Sequence, residues 1–301
     1  MKILITGASG FVGKNLIENI ISNENKIIAT TLDKKKILTF LNSKNLKNIK
    51  VKQLDVLDFK KCASIIKDID LVVHLAAITD VPLSLEKPKE VIDINYIGTL
   101  NILESMRKNR VNKIIFPSTQ DVYGNNTNSK EDDISKIAPL NTYSLSKLLC
   151  EHTIKMYSNI YGIDYIIFRS SHIYGNYQKK GLVPLLSDRV MKSDKVEIGN
   201  NVSRDFLNVN DFVDAIIKSI HYKKNEVFNL GTGHDITLKE LIGMIAKILD
   251  KKVKIVENKN LVRKHKFERW NEVANTEKII NCGWKPKYNL KTWLKDNLKN
   301  G

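Results

Sequence analysis

The sequence has few cysteines and no long apolar run. Its three cysteines, Cys62, Cys150 and Cys282, lie far apart and form no closely spaced pair, which argues against a disulfide framework and a cysteine metal centre. None of the six histidines has metal-site spacing. No apolar segment approaches the roughly 18 residues that a membrane helix needs. The first residues, MKILITG, are already a strand entering a glycine turn, so we expect no signal peptide, no membrane, no metal and a cytoplasmic location.

Acidic residues are also scarce. The chain has 301 residues with 49 Lys and Arg against 33 Asp and Glu, a formal net charge of +16. Only seven of these cations are arginines, and no nucleic-acid-reading motif accompanies the lysines. A basic balance alone supports only weak, non-specific attraction, so we expect no specific nucleic-acid partner.

Strand-like runs rich in Ile, Val and Leu alternate with helical patterns through the first half of the chain. This alternation predicts a doubly wound, Rossmann-like parallel sheet in an α/β fold, with helices over about 142–161 and over about 90–108. We expect a dinucleotide-binding domain over 1–170, to which 206–231 returns. Residues 171–301 should form mainly a smaller α/β substrate-binding lobe.

The segment TGASGFVG follows the first strand and places Gly7, Gly10 and Gly13 at the start of a helix. Glycines allow a tight turn, and a helix N-terminus offers free N–H groups to a pyrophosphate. Phe11 and Val12 open that helix and join the glycines as expected cofactor-binding residues.

Two later strands end in residues suited to the rest of a dinucleotide. Asp55, followed by Val56 in LDVLD, either accepts a hydrogen bond from an adenine amine or caps a helix. Leu75, Ala76 and Ala77 in HLAA leave room for a cofactor ribose to pass over the backbone. His74 beside them is expected to be structural.

The segment YSLSK supplies the candidate for proton transfer. Tyr143 and Lys147 are four residues apart on one expected helix and therefore adjacent on one face. A nearby ammonium favours phenolate over phenol, which makes the tyrosine a usable general acid or base.

Together these segments resemble the extended short-chain dehydrogenases/reductases of the NAD-dependent sugar epimerase/dehydratase family. The landmarks are TGASGFVG, LDVLD, HLAA, DINYIGT, PSTQDVYG, YSLSK, FRSSHIYG, SRDFLNVND and VFNLGTG. The resemblance implies a catalytic triad of Thr119, Tyr143 and Lys147. It also implies that Asn95 and Lys147 hold the cofactor and that Asp55 meets adenine.

The resemblance further implies a nucleotide-diphosphate sugar as substrate, usually in cell-surface polysaccharide synthesis. It assigns Ser84 and His172 to substrate contacts, although many relatives carry Asn at the position of His172. It assigns Arg204 and Arg263 to the diphosphate, as guanidinium groups bind phosphates in a fixed bidentate geometry. Arg204 could instead pair locally with Asp205, and Arg269 competes with Arg263.

The cofactor is NAD or NADP. NAD-preferring relatives carry an acid at the end of the second strand to bind the ribose 2′-hydroxyl. Here that position is Thr31, and Asp33 follows two residues later. Lys34 or Lys35 could instead meet a 2′-phosphate.

Three reactions fit these residues. The main interpretation is an epimerase that transiently oxidises sugar carbon 4, and the alternatives are a 4-keto-sugar reductase and a 4,6-dehydratase. Relatives that dehydrate carry a Glu two residues before the tyrosine of PSTQDVYG, where this chain has Asp121, preceded by Gln120. Asp is shorter than Glu and Gln is no acid, which disfavours dehydration. A dinucleotide sensor or scaffold is the non-enzyme alternative, and the triad argues against it.

We also expect a homodimer. Gly98 lies inside an expected long helix, where glycine costs about 1 kcal/mol relative to alanine, and close helix packing would justify it. The resemblance implies dimerisation through this helix and the Tyr143 helix.

Overall fold

A computed structural model describes residues 1–20, 25–222, 225–261 and 269–298. The chain divides into two compact units. Unit 1 comprises Met1–Val122, Asn141–Arg169 and Val213–Phe228, and unit 2 comprises Tyr123–Leu140, Ser170–Phe212 and Asn229–Gly301.

The strands and the helices are each numbered in chain order. The strands are β1 (Lys2–Thr6), β2 (Lys26–Thr31), β3 (Ile49–Gln53), β4 (Leu71–His74), β5 (Lys113–Thr119), β6 (Asp164–Ser170), β7 (His172–Tyr174), β8 (Lys195–Ile198), β9 (Ser203–Asn208), β10 (Glu226–Leu230), β11 (Asp235–Thr237) and β12 (Lys254–Glu257). The helices are α1 (Phe11–Ile20), α2 (Lys34–Ser43), α3 (Phe59–Ile66), α4 (Val81–Glu86), α5 (Pro88–Ile92), α6 (Gly98–Asn109), α7 (Thr142–Tyr161), α8 (Leu182–Lys192), α9 (Val209–Ser219), α10 (Leu238–Ile248), α11 (Glu277–Asn281) and α12 (Leu290–Leu298).

A seven-stranded sheet forms the centre of unit 1, in the order β3-β2-β1-β4-β5-β6-β10. Strand β1 pairs in parallel with β2 and β4, and the parallel pairing continues to β3 and β5. Strand β4 is buried along its whole length because helices cover both faces of the sheet. The expected Rossmann-like doubly wound fold is confirmed. The strand order reverses between β1 and β4, and open α/β sheets generally bind ligands beyond the carboxyl ends of the strands at such a point.

Unit 2 is a smaller α/β assembly with its own core. It contains a three-stranded sheet, β11-β9-β7, and a parallel pair, β12-β8. Leu241, Ile242 and Ile245 of α10 pack with Leu294 of α12 and Val190 of α8 in that core. In the part of the chain that the structure describes, no helix is long and apolar enough to cross a membrane.

The expected long helix over 90–108 is present, but its middle turn is π-helical. The chain forms α5, then a π-helical turn over Asp93–Ile97, then α6. Such turns are rare and often occur at functional sites. Gly98 has a reason within the subunit, because a Cβ there would lie 2.5 Å from Cγ2 of Val56. Its presence is therefore no evidence for a dimer.

Helix α7 has the predicted bounds, and its ends show why. Asn141 caps it by accepting a hydrogen bond from the Ser144 N–H at 2.8 Å, in a capping box with the Ser144 side chain. Gly162 ends it in the left-handed conformation, with φ of 69°. The cap fixes Tyr143 in the first turn.

Candidate active site

The glycine turn between β1 and α1 leaves no room for side chains. A Cβ on Gly7 would lie 2.8 Å from the Ala76 nitrogen, and one on Gly13 would lie 2.6 Å from the Ala8 carbonyl oxygen. Gly10 is exposed at the start of α1, where the first N–H groups have no acceptor within the helix. Phe11 and Val12 in that turn are half-buried. A close backbone approach and free donors at a positive helix end fit a pyrophosphate.

The polar side chains at the end of β2 make hydrogen bonds within the protein. Thr31 is buried, and its hydroxyl oxygen lies 2.7 Å from that of Ser9. The exposed Asp33 caps α2 by accepting a hydrogen bond from the Lys36 N–H at 3.2 Å. Lys34 and Lys35 are exposed in the first turn of that helix. The end of β2 therefore presents an exposed carboxylate at Asp33 with cations directly beyond it.

Asp55 does not cap a helix. Its carboxylate accepts a hydrogen bond from the Leu57 N–H at 2.9 Å, and Asp58 caps α3 instead. The Asp55 side chain is exposed at the end of β3, while Val56 after it is buried. This placement leaves Asp55 accessible to an adenine amine. Its assignment to the cofactor stays a prediction.

His74 is the middle of a buried chain of hydrogen bonds at the end of β4. Its Nδ1 lies 2.7 Å from Thr6 Oγ1 and its Nε2 lies 3.1 Å from Thr99 Oγ1. Because Thr99 donates its own proton to the Asn95 carbonyl, Nε2 carries the imidazole hydrogen. Burial and, secondly, the charge of Lys147 lower the pKa of His74 to about 3. The neutral ring is structural, and it supports the half-buried Leu75, Ala76 and Ala77 that follow.

Asn95, on the π-helical turn, joins two parts of the site. Its side chain accepts a hydrogen bond from the Ile78 N–H at 2.7 Å and donates to the Ile78 carbonyl at 2.9 Å. It also donates to Ser146 Oγ at 2.9 Å, and Ser146 donates to the Tyr143 carbonyl at 2.7 Å. Asn95 thus fixes the segment after β4 against the first turn of α7.

Lys147 is buried one turn after Tyr143. Its Nζ donates a hydrogen bond to the Pro117 carbonyl at 2.7 Å and lies 4.5 Å from the centroid of the Phe116 ring. Burial lowers the pKa of Lys147 to about 8, and Cys150 and Glu151 oppose that shift. Tyr143 itself is half-buried. The ammonium stands on the same helix face as the phenol and is held by β5.

Thr119 ends β5, two residues after Pro117. It is 7% exposed, and its Oγ1 accepts a hydrogen bond from the Asp121 N–H at 3.1 Å. That bond leaves the hydroxyl hydrogen available for a substrate oxygen. Gln120 is buried and its amide donates to the Arg169 carbonyl at 2.8 Å. Gln120 therefore supports the strand end, while Asp121 is half-buried.

Ser84 is fully buried in α4 and donates its hydroxyl hydrogen to the Val81 carbonyl at 2.7 Å. In this arrangement it presents no surface to a substrate. Its assignment to the substrate stays a prediction that this geometry does not support.

In unit 2, two arginines and a histidine lie around one buried carboxylate. Glu272 is 2% exposed, and its Oε2 lies 3.7 Å from His172 Nδ1 and 3.9 Å from Arg204 Nε. Burial opposes ionisation of Glu272, but His172, Arg269 and Arg204 outweigh it and lower the pKa of the carboxyl. Arg269 is buried and donates to the Asn126 carbonyl at 3.1 Å. The two guanidiniums beside this carboxylate are donors of the kind that also bind anions.

Arg204 does not pair with Asp205, the alternative that its local sequence leaves open. Asp205 instead accepts hydrogen bonds from the backbone of Thr232 and Gly233. Arg263, expected at the diphosphate, lies outside the described residues. The structure brings Arg269 to the cluster, and Glu272 was missed because nothing in its local sequence marks it. Within residues 1–20, 25–222, 225–261 and 269–298, no group of three or more His, Cys, Asp or Glu side chains could hold a metal.

Comparison with known proteins places the chain. Residues 3–231 match the model of the NAD dependent epimerase/dehydratase family. A Methanocaldococcus jannaschii protein, named provisionally as a UDP-glucose 4-epimerase, is 33% identical over 98% of this chain and 99% of its own length. The UDP-glucose 4-epimerase of Thermotoga maritima, solved with UDP-glucose, is 28% identical, covers 99% of this chain and 98% of its own, and has a TM-score of 0.86. The UDP-glucuronic acid 4-epimerase of Bacillus cereus, solved with UDP-glucuronic acid and NAD, is 25% identical, covers 100% and 99%, and has a TM-score of 0.89.

Proposed function

The chain belongs to the NAD dependent epimerase/dehydratase family, a family of enzymes, and we propose that it is a UDP-sugar 4-epimerase that uses NAD. The expected family and the expectation of an enzyme are thereby confirmed. The observation that carries the proposal is the Lys147 ammonium, bound at 2.7 Å to Pro117, two residues before Thr119 and one helical turn after Tyr143. A protein that only binds a dinucleotide needs no such proton-transfer arrangement.

Unit 1 binds the cofactor in this proposal. The glycine turn and the free N–H groups of α1 hold the pyrophosphate, Asp33 meets the adenosine ribose, and Asp55 meets adenine. Bound there, the dinucleotide would accept a hydride from sugar carbon 4 and return it to either face of the resulting 4-keto sugar. Asp33 would repel a 2′-phosphate, which favours NAD over NADP.

The side chains of unit 1 move the proton. Tyr143 removes the proton from the 4-hydroxyl as the carbon is oxidised and returns it when the ketone is reduced. The Lys147 ammonium and the N-terminus of α7 stabilise negative charge on the phenol oxygen. Thr119 donates its hydroxyl hydrogen to the same sugar oxygen and keeps it oriented.

The cationic cluster of unit 2 is the proposed site for the substrate diphosphate. Arg204 and Arg269 supply the fixed guanidinium donors that phosphates favour, and Glu272 holds them in place. His172, 38% exposed at its side chain, borders the same cluster and would contact the nucleotide sugar. These contacts bind substrate without taking part in the chemistry.

The buried Gln120 disfavours dehydration. Its amide is committed to the Arg169 carbonyl, and an amide has no acidic proton to give to a leaving hydroxyl. Without that acid, the 4-keto sugar is better returned to the alcohol than dehydrated. A 4-keto-sugar reductase with exchangeable cofactor is the second outcome that the substrate test distinguishes.

We further propose a homodimer formed through α7. Leu145, Leu149, His152, Met156 and Ile160 lie within about 80° of one another around the helix axis, since each residue turns the helix by about 100°. Leu145, Met156 and Ile160 are 42%, 46% and 62% exposed. An apolar stripe of this kind on a long helix suits a second copy of the same surface. We also propose a cytoplasmic location and a part in polysaccharide synthesis, and the buried Cys62 and Cys150, which form no disulfide, are compatible with that location.

The test incubates the protein with UDP-, dTDP-, GDP- and CDP-sugars without added reductant and follows product mass and sugar proton couplings. We expect an isomer of unchanged mass from a UDP-sugar. Loss of one water would overturn the proposal in favour of a dehydratase. No product from any sugar, with turnover of a 4-keto sugar and NADH, would establish the reductase. Tyr143→Phe should abolish turnover, while Tyr161→Phe, an exposed tyrosine on the same helix, should not.

A further inference from the structure

A buried ion pair lies one helical turn beyond Lys147. Glu151 of α7 and Arg169 of β6 are each 1% exposed. Arg169 Nη2 donates to Glu151 Oε2 at 2.7 Å, and its Nε lies 3.1 Å from both carboxylate oxygens. The proposed mechanism uses neither side chain.

Ser118 joins this ion pair to β5, the strand that ends at Thr119. Its hydroxyl donates a short hydrogen bond of 2.5 Å to Glu151 Oε1. Ser118 lies between Pro117, whose carbonyl binds Lys147, and Thr119. The carboxylate therefore connects β5, α7 and β6 at the point where Thr119 and Lys147 are held.

Fold stability is a poor explanation for such a pair. Removing two charges from water costs several kcal/mol for each ion, and apolar replacements of buried ion pairs are often neutral or stabilising. A buried pair that contacts Ser118, directly before Thr119, points instead to a role in the chemistry.

Few groups set the charge around Lys147. On α7 itself stand Tyr143, Cys150 and Glu151. His74 faces Lys147 from β4, and Arg169 lies behind Glu151 on β6. Burial raises the pKa of Cys150 to about 11 and lowers that of His74 to about 3, so both are uncharged at neutral pH. Glu151 then supplies the negative charge next to the ammonium, and Arg169 balances it.

We propose that Glu151 is a positioning residue, which fixes the end of β5 through Ser118 and whose charge keeps Lys147 protonated. The inference rests on the proposed function, because it assigns Glu151 a part in supporting the same proton transfer. Glu151 touches neither substrate nor cofactor in this role, and it acts through Lys147 and Thr119.

The first test is Glu151→Gln, which keeps the shape and can still accept from Ser118. Removing the negative charge beside a buried ammonium, while Arg169 stays, lowers the pKa of Lys147. We expect the alkaline limit of kcat to move down by about one pH unit or more and kcat at pH 8.5 to fall about tenfold. KM should change less than about twofold, because no substrate contact is lost.

A readout without turnover separates this inference from the proposed function. The Lys147 signal, assigned by its loss in Lys147→Met, is titrated by NMR in protein with ¹³C-labelled lysine side chains. We expect its midpoint to move down by the same interval in Glu151→Gln, whether or not a substrate is known. The matched control is Glu104→Gln, which removes a carboxylate from an Arg107 pair on α6 with no tie to β5. Its Lys147 midpoint should equal that of the unmodified protein, and an equal midpoint in Glu151→Gln would overturn the charge role.

Two further variants keep the test informative if Glu151→Gln does not fold. The double variant Glu151→Gln with Arg169→Gln leaves no unbalanced charge. Its alkaline limit of kcat should still move to lower pH, but by less than in Glu151→Gln alone. Ser118→Ala leaves both charges and removes only the bond to β5, so kcat should fall several-fold while the alkaline limit stays. Unchanged kcat in a folded Ser118→Ala would overturn the positioning role.

Discussion

The Nζ of Lys147 donates a hydrogen bond of 2.7 Å to the carbonyl oxygen of Pro117. This bond fixes an ammonium from the first turns of α7 to the end of β5, two residues before Thr119. The cation is 4% exposed, so its charge is not screened by water. In the proposed mechanism this ammonium stabilises a phenolate at Tyr143, and it does so at a cost to the folded state, since burial penalises the ammonium.

That cost predicts a stable but inactive Lys147→Met. The pKa of Lys147 is about 8 in the folded protein, against its ordinary value of 10.5. Below pH 8 the folded state bears the full cost of burying the charged ammonium, roughly 3 kcal/mol. Between pH 8 and 10.5 the unfolded chain binds more protons than the folded protein, so the unfolding free energy rises with pH. We expect Lys147→Met to equal or exceed the unmodified protein in unfolding free energy at pH 7, with that advantage shrinking by about pH 9.5. Activity should fall at least about a thousandfold.

Lys113→Met is the contrasting variant for that measurement. The Lys113 ammonium donates to the carbonyls of Ser219, Ile220 and Tyr222 at 3.2, 2.6 and 2.5 Å, and so binds the end of α9. Its loss should destabilise the protein by about 1–3 kcal/mol without changing the activity of the folded fraction. Similar stability losses in both variants would contradict the proposed penalty at Lys147.

His74 predicts sensitivity to acid. Its pKa is about 3 when folded, against its ordinary value of 6.5, so the unfolded chain takes up a proton that the folded chain refuses. Stability from this group is complete above about pH 6.5 and is lost as pH falls toward 3, by up to about 1.4 kcal/mol per pH unit. In His74→Gln, the unfolding free energy measured with urea should fall less steeply between about pH 6.5 and 4.5 than in the unmodified protein. His221→Gln, at an exposed histidine just after α9, should keep the original slope, and equal slopes in both variants would refute the assignment.

The apolar stripe of α7 predicts dissociation by added charge. We expect the unmodified protein to have the mass of a dimer by light scattering at micromolar concentration. Met156→Glu combined with Ile160→Glu should give a monomer, because four like charges would face one another across a two-fold axis. Leu185→Glu, at a leucine 46% exposed on α8, is the control and should remain dimeric. A monomeric unmodified protein would exclude the dimer.

Sequence reasoning succeeded where local chemistry decides the structure. The bounds of α7 follow from an Asn141 cap and a Gly162 stop, and both signals lie within the segment itself. The turn after β1 is marked by Gly7, Gly10 and Gly13, and a Cβ at Gly7 or Gly13 would clash with the backbone. Tyr143 and Lys147 accordingly lie on the predicted helix, and the catalytic roles that the resemblance assigns to them and to Thr119 stay predictions.

It failed where the structure depends on distant partners. The π-helical turn over Asp93–Ile97 coincides with bonds from Asn95 to Ile78 and Ser146, and Ser146 is 51 residues away in sequence. The pairing of Glu151 with Arg169 joins a helix to the next strand, and nothing in either segment predicts it. The basic run around Arg263 and Arg269 contains no local signal that separates one arginine from the other, so the sequence alone cannot select Arg269.

Asp33 predicts the cofactor preference. Its exposed carboxylate at the start of α2 should accept from a ribose hydroxyl and repel a phosphate there. We expect fluorescence titration to give NAD binding at least about tenfold tighter than NADP binding. Asp33→Asn should lower the preference for NAD over NADP, and Lys34→Ala, which removes a neighbouring cation, should raise it. Tighter binding of NADP by the unmodified protein would reverse the assignment.

Arg269 predicts where the substrate diphosphate binds. It is buried in unit 2 close enough to Glu272 to lower the pKa of that carboxyl, together with Arg204 and His172. A desolvated guanidinium near a buried carboxylate cannot be replaced by a mobile lysine elsewhere on the surface. We expect Arg269→Ala to raise KM for a UDP-sugar about tenfold to a hundredfold, with a smaller change in kcat, since the interaction forms in the ground state.

Arg263→Ala is the direct comparison, because the sequence favoured that residue. If the buried cluster binds the diphosphate, Arg263→Ala should change KM less than about threefold. Glu272→Gln adds an independent check: it raises the net positive charge of the cluster and loosens Arg204, so the affinity for free UDP should change while kcat does not. A large KM effect of Arg263→Ala combined with none from Arg269→Ala would move the diphosphate away from Glu272. The arginines around that carboxylate would then be a structural cluster with no part in substrate binding.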